Sequence, residues 1–180
     1  KSLEITARGV SSHGARPQRG KNAISIMMAF LETLHIVQED VVEFIRFYQE
    51  HIGFDLHGER MGCALSDEVS GKLILNVGKV NLDSEASRIT INIRYPVTLN
   101  EEHVYEAMRP LLDRRDIGLV KLNHQPPIYI PKEDPLIETL TAVYQRHAGD
   151  RNSPPQVIGG GTYARCLDHG VAFGMGFPGD

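Results

Sequence analysis

Lys72–Tyr95 reads KLILNVGKVNLDSEASRITINIRY. Aliphatic and β-branched residues crowd both ends, while Asn81 to Ser84 is turn-forming, with Asn81, Asp83 and Ser84 of types that bond their own backbone. The pattern predicts two strands, Lys72 to Val80 and Ser87 to Tyr95, joined as an antiparallel hairpin. Side chains alternate along a strand, so Ile91 and Ile93 share one face while Asn92 and Arg94 share the other.

Upstream, Leu3, Ile5 and Ala7 alternate with Glu4 and Thr6, which predicts a strand over Lys1 to Val10. Ala23, Ile26, Met27, Phe30, Leu31 and Leu34 recur at helical intervals and make one apolar stripe. Asp40 with Glu43 reads as a second helix start, carried on by Val41, Phe44, Ile45 and Tyr48 until Gly53. Phe54 to Gly71 lacks a period and reads as a loop. Downstream, Thr98 with Glu101 has the capping-box spacing, and Val104, Met108, Leu111 and Leu112 follow on one face. A strand over Ile117 to Leu122 completes the order β-α-β-β-α-β. The expected class is α+β: a ferredoxin-like domain with an antiparallel sheet and helices on one face.

Gln125 to Pro131 holds three prolines, which cannot donate into a ladder, so it reads as a connector. The expected division is residues 1–131 and residues 132–180, the second a partial α/β segment. There Asp134 and Pro135 take N-cap and first-turn positions, Leu136, Ile137, Leu140, Val143 and Tyr144 form an apolar face, and Gly149 stops the helix. A glycine turn, Gly159-Gly160-Gly161-Thr162, and a short strand, Val171 to Phe173, follow.

With 180 residues, a 41% hydrophobic fraction and a 23% charged fraction, the chain can build an ordinary buried core. The formal charge of −4, with no basic run, excludes a phosphate-backbone groove and so nucleic acid as a partner. No apolar stretch approaches the roughly 20 residues that span a bilayer, so no membrane partner is expected. That, with no cleavable signal in the sequence, leads to the expectation of a cytoplasmic protein. Cys63 and Cys166 lie far apart without metal spacing, which fits two reduced, partly buried thiols. The start in a strand-like stretch without methionine, and the stop at Phe177-Pro178-Gly179-Asp180, lead to the expectation of an internal piece of a longer protein.

His13 lies in Gly9-Val10-Ser11-Ser12-His13-Gly14-Ala15-Arg16-Pro17, after the first strand. An imidazole there can donate to a carbonyl oxygen as charge develops on it, or simply face solvent. Arg94 on its strand can grip a carboxylate through two parallel bonds, or stay on a polar surface. The glycines before Thr162 leave backbone amides open to a ligand, or make only a tight turn. Gly14 to Lys21 is no phosphate loop, because five residues separate Gly14 from Gly20 and Asn22 replaces the required hydroxyl. His35, His51, His57, His103, His124, His147 and His169 show no paired ligand spacing, so no metal residue is assigned.

Five stretches together resemble the M20 family of metallopeptidases: GVSSHGARPQRGKNAI (9–24), GERMGCALSDEVSGKLILNVGKV (58–80), INIRYPV (91–97), HQPPIYIPKEDPL (124–136) and IGGGTYARCLDHGVAFGMGFPGD (158–180). The second favours the PepV-like, Xaa-His type dipeptidase branch. The resemblance implies a lid domain closing over a catalytic domain that holds two zinc ions. It makes His13 the lid histidine that stabilises the scissile carbonyl, and Arg94 the residue that binds the dipeptide's terminal carboxylate. Gly160, Gly161, Thr162 and Arg165 resemble a segment lining the substrate site.

By the same resemblance, the metal-binding His-x-Asp segment, the bridging aspartate and the paired glutamates precede the lid. The last histidine ligand follows a Phe-Pro-Gly like Phe177-Pro178-Gly179, so this chain by itself is expected to be inactive. Smaller family members resemble dimers and the PepV-like branch a monomer, leaving monomer or homodimer open. Two other readings remain: an M20 amino-acid deacylase using the same metals, and a non-catalytic ferredoxin-like dimerisation or binding module. Such a module should end near Pro131.

Overall fold

The computed structural model describes residues 3–174. The expectations placed on the first two and last six residues, Phe177-Pro178-Gly179 included, lie outside the described residues. The chain is α+β and forms two compact units, one running up to Asn123 and one from His124 onward.

In the first unit, helices α1 (Ala23–Glu32) and α2 (Glu39–His51) precede a small ladder of β1 (Ser66–Asp67) and β2 (Gly71–Lys72). The long hairpin of β3 (Ile74–Leu82) and β4 (Ser87–Arg94) follows, then helix α3 (Glu101–Arg114). The hairpin is antiparallel, with Ile74 opposite Arg94, Val77 opposite Ile91 and Leu82 opposite Ser87, and its register shifts between Val77 and Lys79. Its turn is closed by Asp83, whose Oδ1 accepts from the Glu85 and Ala86 N–H groups.

Alternation places Leu73, Leu75 and Val77 in the core, where they meet Met28 of α1, Ile45 and Tyr48 of α2, and Val104, Met108, Leu111 and Leu112 of α3. Each such side chain contributes about 1.5–3 kcal/mol on full burial. One polar pair sits among them. Ser25 Oγ donates to the Gly53 carbonyl at 2.6 Å and shares a 2.8 Å bond with Tyr48 Oη, so α1, α2 and the following turn are tied inside the core.

Several local expectations are corrected. Residues 3–9 form no ladder; only the bridge Val10↔Lys21 closes there, and Leu3 is exposed. Residues 117–122 likewise form no strand. Alternation supplies a two-faced segment, but a strand exists only when another backbone pairs with it. Helix α2 begins two residues earlier than expected, with Gln38 in place of Asp40 at the N-cap and no side-chain cap. The capping box of α3 is Asn100 with His103 in place of Thr98 with Glu101, because Thr98 is bonded elsewhere.

The second unit carries helix α4 (Pro135–Ala148), which starts and stops as expected. Asp134 accepts from the Leu136 N–H at 2.9 Å, Pro135 opens the first turn, and Gly149 ends it with φ of 71°, in the left-handed region. A 3-10 turn over Tyr163–Cys166 follows, and residues 171–173 form no strand. Among the described residues no helix is long and apolar enough to cross a membrane.

Candidate functional site

The His13 loop is pinned at its base. Val10 and Lys21 exchange backbone bonds of 3.0 and 2.9 Å, and the two chain segments run so close that side chains are excluded. A Cβ on Gly9 would collide with the Lys21 carbonyl, and one on Gly20 would stand 2.5 Å from the Val10 carbonyl. Both glycines are needed for this crossing. Asn22 then caps α1 by accepting from the Ile24 N–H, and donates to the Val77 carbonyl at 2.8 Å. The loop is therefore anchored to the hairpin that carries Arg94.

Within the loop, the Arg16 N–H donates to the His13 carbonyl at 2.8 Å, and the Ala15 N–H donates to His13 Nδ1 at 3.2 Å. A ring nitrogen that accepts carries no proton, so the neutral imidazole holds its proton on Nε2. His13 is exposed, which leaves Nε2–H a donor available to a ligand.

Arg94 ends β4, half-buried. Its Nη2 lies 3.5 Å from the position a Cβ on Gly14 would take, so the guanidinium stands over the place a side chain would occupy next to His13. Its Nε is buried and has no hydrogen-bond partner among the described residues. Leaving such a donor unmet costs about 1–3 kcal/mol. Nε and Nη2 share one edge of the planar group, the edge that takes a carboxylate in bidentate fashion.

The remaining residues singled out from the sequence group together in the second unit. Thr162 Oγ1 accepts from the Ala164 N–H at 3.3 Å and so starts the 3-10 turn. Arg165 Nη1 donates to the Pro126 carbonyl at 2.6 Å, and its Nε lies 3.2 Å from where a Cβ on Gly161 would stand. Gly160 has open space in the direction of an added Cβ.

A family model described as a peptidase dimerisation domain of the M20 peptidases matches residues 1–117. The chain belongs to the M20 peptidase family. Among curated relatives, a "Putative dipeptidase" of Staphylococcus epidermidis is 36% identical over 177 residues, covering 97% of this chain and 37% of that protein. Similarly described proteins of Staphylococcus haemolyticus and Staphylococcus aureus are 35% and 33% identical over 176 residues, with the same coverage. The chain thus spans about a third of the length of the relatives it matches.

The M20 likeness implies a metal-dependent enzyme, and the donors among the described residues do not fit a metal site. Among the described residues no three His, Cys, Asp or Glu side chains group as a metal site requires. Asp67, which carries no expectation from the sequence, ties the β1–β2 turn to Thr98. The signal was an Asp followed by Ser70-Gly71, an Asx-type turn pattern within the stretch read as loop.

Proposed function

We propose that this chain is the substrate-capping lid (1–131) and part of the catalytic domain (132–180) of a dinuclear zinc dipeptidase of the PepV-like branch, with Arg94 reading the free carboxylate of a dipeptide. The reading is carried by one observation: the buried, unpartnered Nε of Arg94 beside the His13 loop. A carboxylate would satisfy that donor and gain a charge-assisted pair. The names of the staphylococcal relatives support a dipeptide as the substrate.

His13 is proposed to donate from Nε2 to the oxygen of the scissile carbonyl. Its bond to the Ala15 amide supports this by fixing the tautomer. A donor aimed at developing charge is strongest in the transition state, which raises turnover more than affinity. Gly160, Gly161, Thr162 and Arg165 are proposed to line the substrate site in the intact enzyme. The two zinc ions belong in this reading to segments outside this sequence, and no step is assigned to them.

The matching family model is described by dimerisation, which supports a homodimer, while the PepV-like branch resembles a monomer. Two free cysteines, Cys63 buried and Cys166 exposed, support a cytoplasmic setting. The test is a substrate panel on the intact enzyme containing this chain. Dipeptides should be cleaved well and N-acyl amino acids poorly. A preference for the N-acyl compounds would replace the dipeptidase reading with a deacylase.

A further inference from the structure

Asp67, at the end of β1, gathers donors from two directions. Its Oδ1 accepts from the Ser70 N–H, from Ser70 Oγ at 2.9 Å and from the Gly71 N–H at 3.1 Å. Its Oδ2 accepts from the Thr98 N–H at 3.1 Å and from Thr98 Oγ1 at 2.9 Å. Ser70 Oγ, while donating to Asp67, accepts from the Val97 N–H at 2.9 Å.

Those bonds close on the segment into which β4 runs after Arg94. Pro96, fully buried, lies between Arg94 and the bonded pair Val97 and Thr98. On the other side, β2 leads through buried Leu73 to Ile74, the residue opposite Arg94 in the hairpin register. The end of the ladder that bears Arg94 is therefore stitched on both strands by one carboxylate and one hydroxyl. Strand ends fray when nothing holds them, and a guanidinium that must meet a carboxylate edge-on tolerates little drift.

We propose that Asp67, Ser70 and Thr98 form a clasp that positions the Arg94 guanidinium for substrate carboxylate binding. Asp67 is a positioning residue: it acts through the backbone of Val97 and Thr98 and touches no substrate. The inference rests on the carboxylate-reading role of Arg94. The state of the clasp favours it too. Partial desolvation pushes the Asp67 carboxyl up, but the bonds from Ser70 and Thr98 outweigh this and hold it down at about 2, so the charge persists at working pH.

The test uses the intact enzyme with Asp67→Asn and Thr98→Val, each also in an Arg94→Met background, on a dipeptide and on its amide. Each clasp variant should raise KM for the free acid by about 10-fold, with kcat held within about 2-fold. The amide should be unaffected, and no further loss should appear once Arg94 is gone. Thr98→Val removes a single hydroxyl and keeps the charge, so it carries the test should Asp67→Asn unfold. Equal losses for acid and amide, or the same loss without Arg94, overturn the clasp as a positioning device. Should Arg94→Met itself cost acid and amide alike, the carboxylate reading fails, and the clasp proposal falls with it.

Discussion

Arg94 Nη2 stands 3.5 Å from the point where a Cβ on Gly14 would sit, so the strand arginine and the histidine loop share one wall. That distance is ordinary van der Waals contact, which makes the tolerance of position 14 a direct probe of the wall. Gly14→Ala should fold like the parent, with stability changed by no more than about 0.5 kcal/mol. Gly14→Leu should displace the guanidinium and weaken free-acid dipeptides in the intact enzyme. Urea melts and kcat/KM for both variants check this; a Leu variant with parental KM would place Arg94 elsewhere in the working enzyme.

His13→Ala should lower kcat by about 100- to 1000-fold while changing KM little, the loss expected for one oxyanion donor. Steady-state kinetics on the intact enzyme decide it. Unchanged turnover would return His13 to the surface.

Asp67 gives a pH signature with a definite sign. Its folded pKa, about 2, is below the ordinary 3.8, so its contribution to stability is present above 3.8 and is lost as pH falls toward 2. Asp67→Asn should therefore be less stable than the parent at neutral pH, and the gap should narrow across that window. Asp83 is also held low by bonds from Glu85 and Ala86, so the parent keeps some acid sensitivity from that turn. Denaturant melts followed by circular dichroism at neutral pH and near pH 2.5 measure the gap; a constant difference would contradict the assignment.

The two thiols should differ sharply. Burial, with help from the Asp55 charge, pushes Cys63 up to about 11, and its side chain is fully enclosed, whereas Cys166 is exposed. A thiol reagent at neutral pH should modify Cys166 alone in the folded protein and both cysteines in denaturant. Fast labelling of both in the folded state would show that the packing around Cys63 is open.

Local rules read the elements whose signals are local. The Asp134 cap, the Pro135 first turn and the Gly149 stop define α4 without reference to anything distant, and the hairpin follows from two apolar runs flanking a turn. Elements fixed by distant partners were not legible. Thr98 and Glu101 carry a capping-box pattern, yet the Thr98 hydroxyl is taken by Asp67 across the fold and Asn100 caps the helix instead. Residues 3–9 and 117–122 have strand composition without a paired backbone. For the proposed site, motifs single out His13 and Arg94, while the proximity of Arg94 to Gly14 and the Asp67 clasp depend on tertiary distances that no spacing encodes.

The most direct measurement of the central claim is kcat/KM for a dipeptide and its amide, in the parent enzyme and in Arg94→Met. Methionine keeps aliphatic bulk and removes the guanidinium, so the free acid should lose about 2–5 kcal/mol of transition-state binding if the lost pair is buried. The amide should be a poor substrate of the parent and lose little more in the variant, giving a large coupling between the arginine and the carboxylate. Equal losses for acid and amide would contradict the account and make Arg94 a support of the fold.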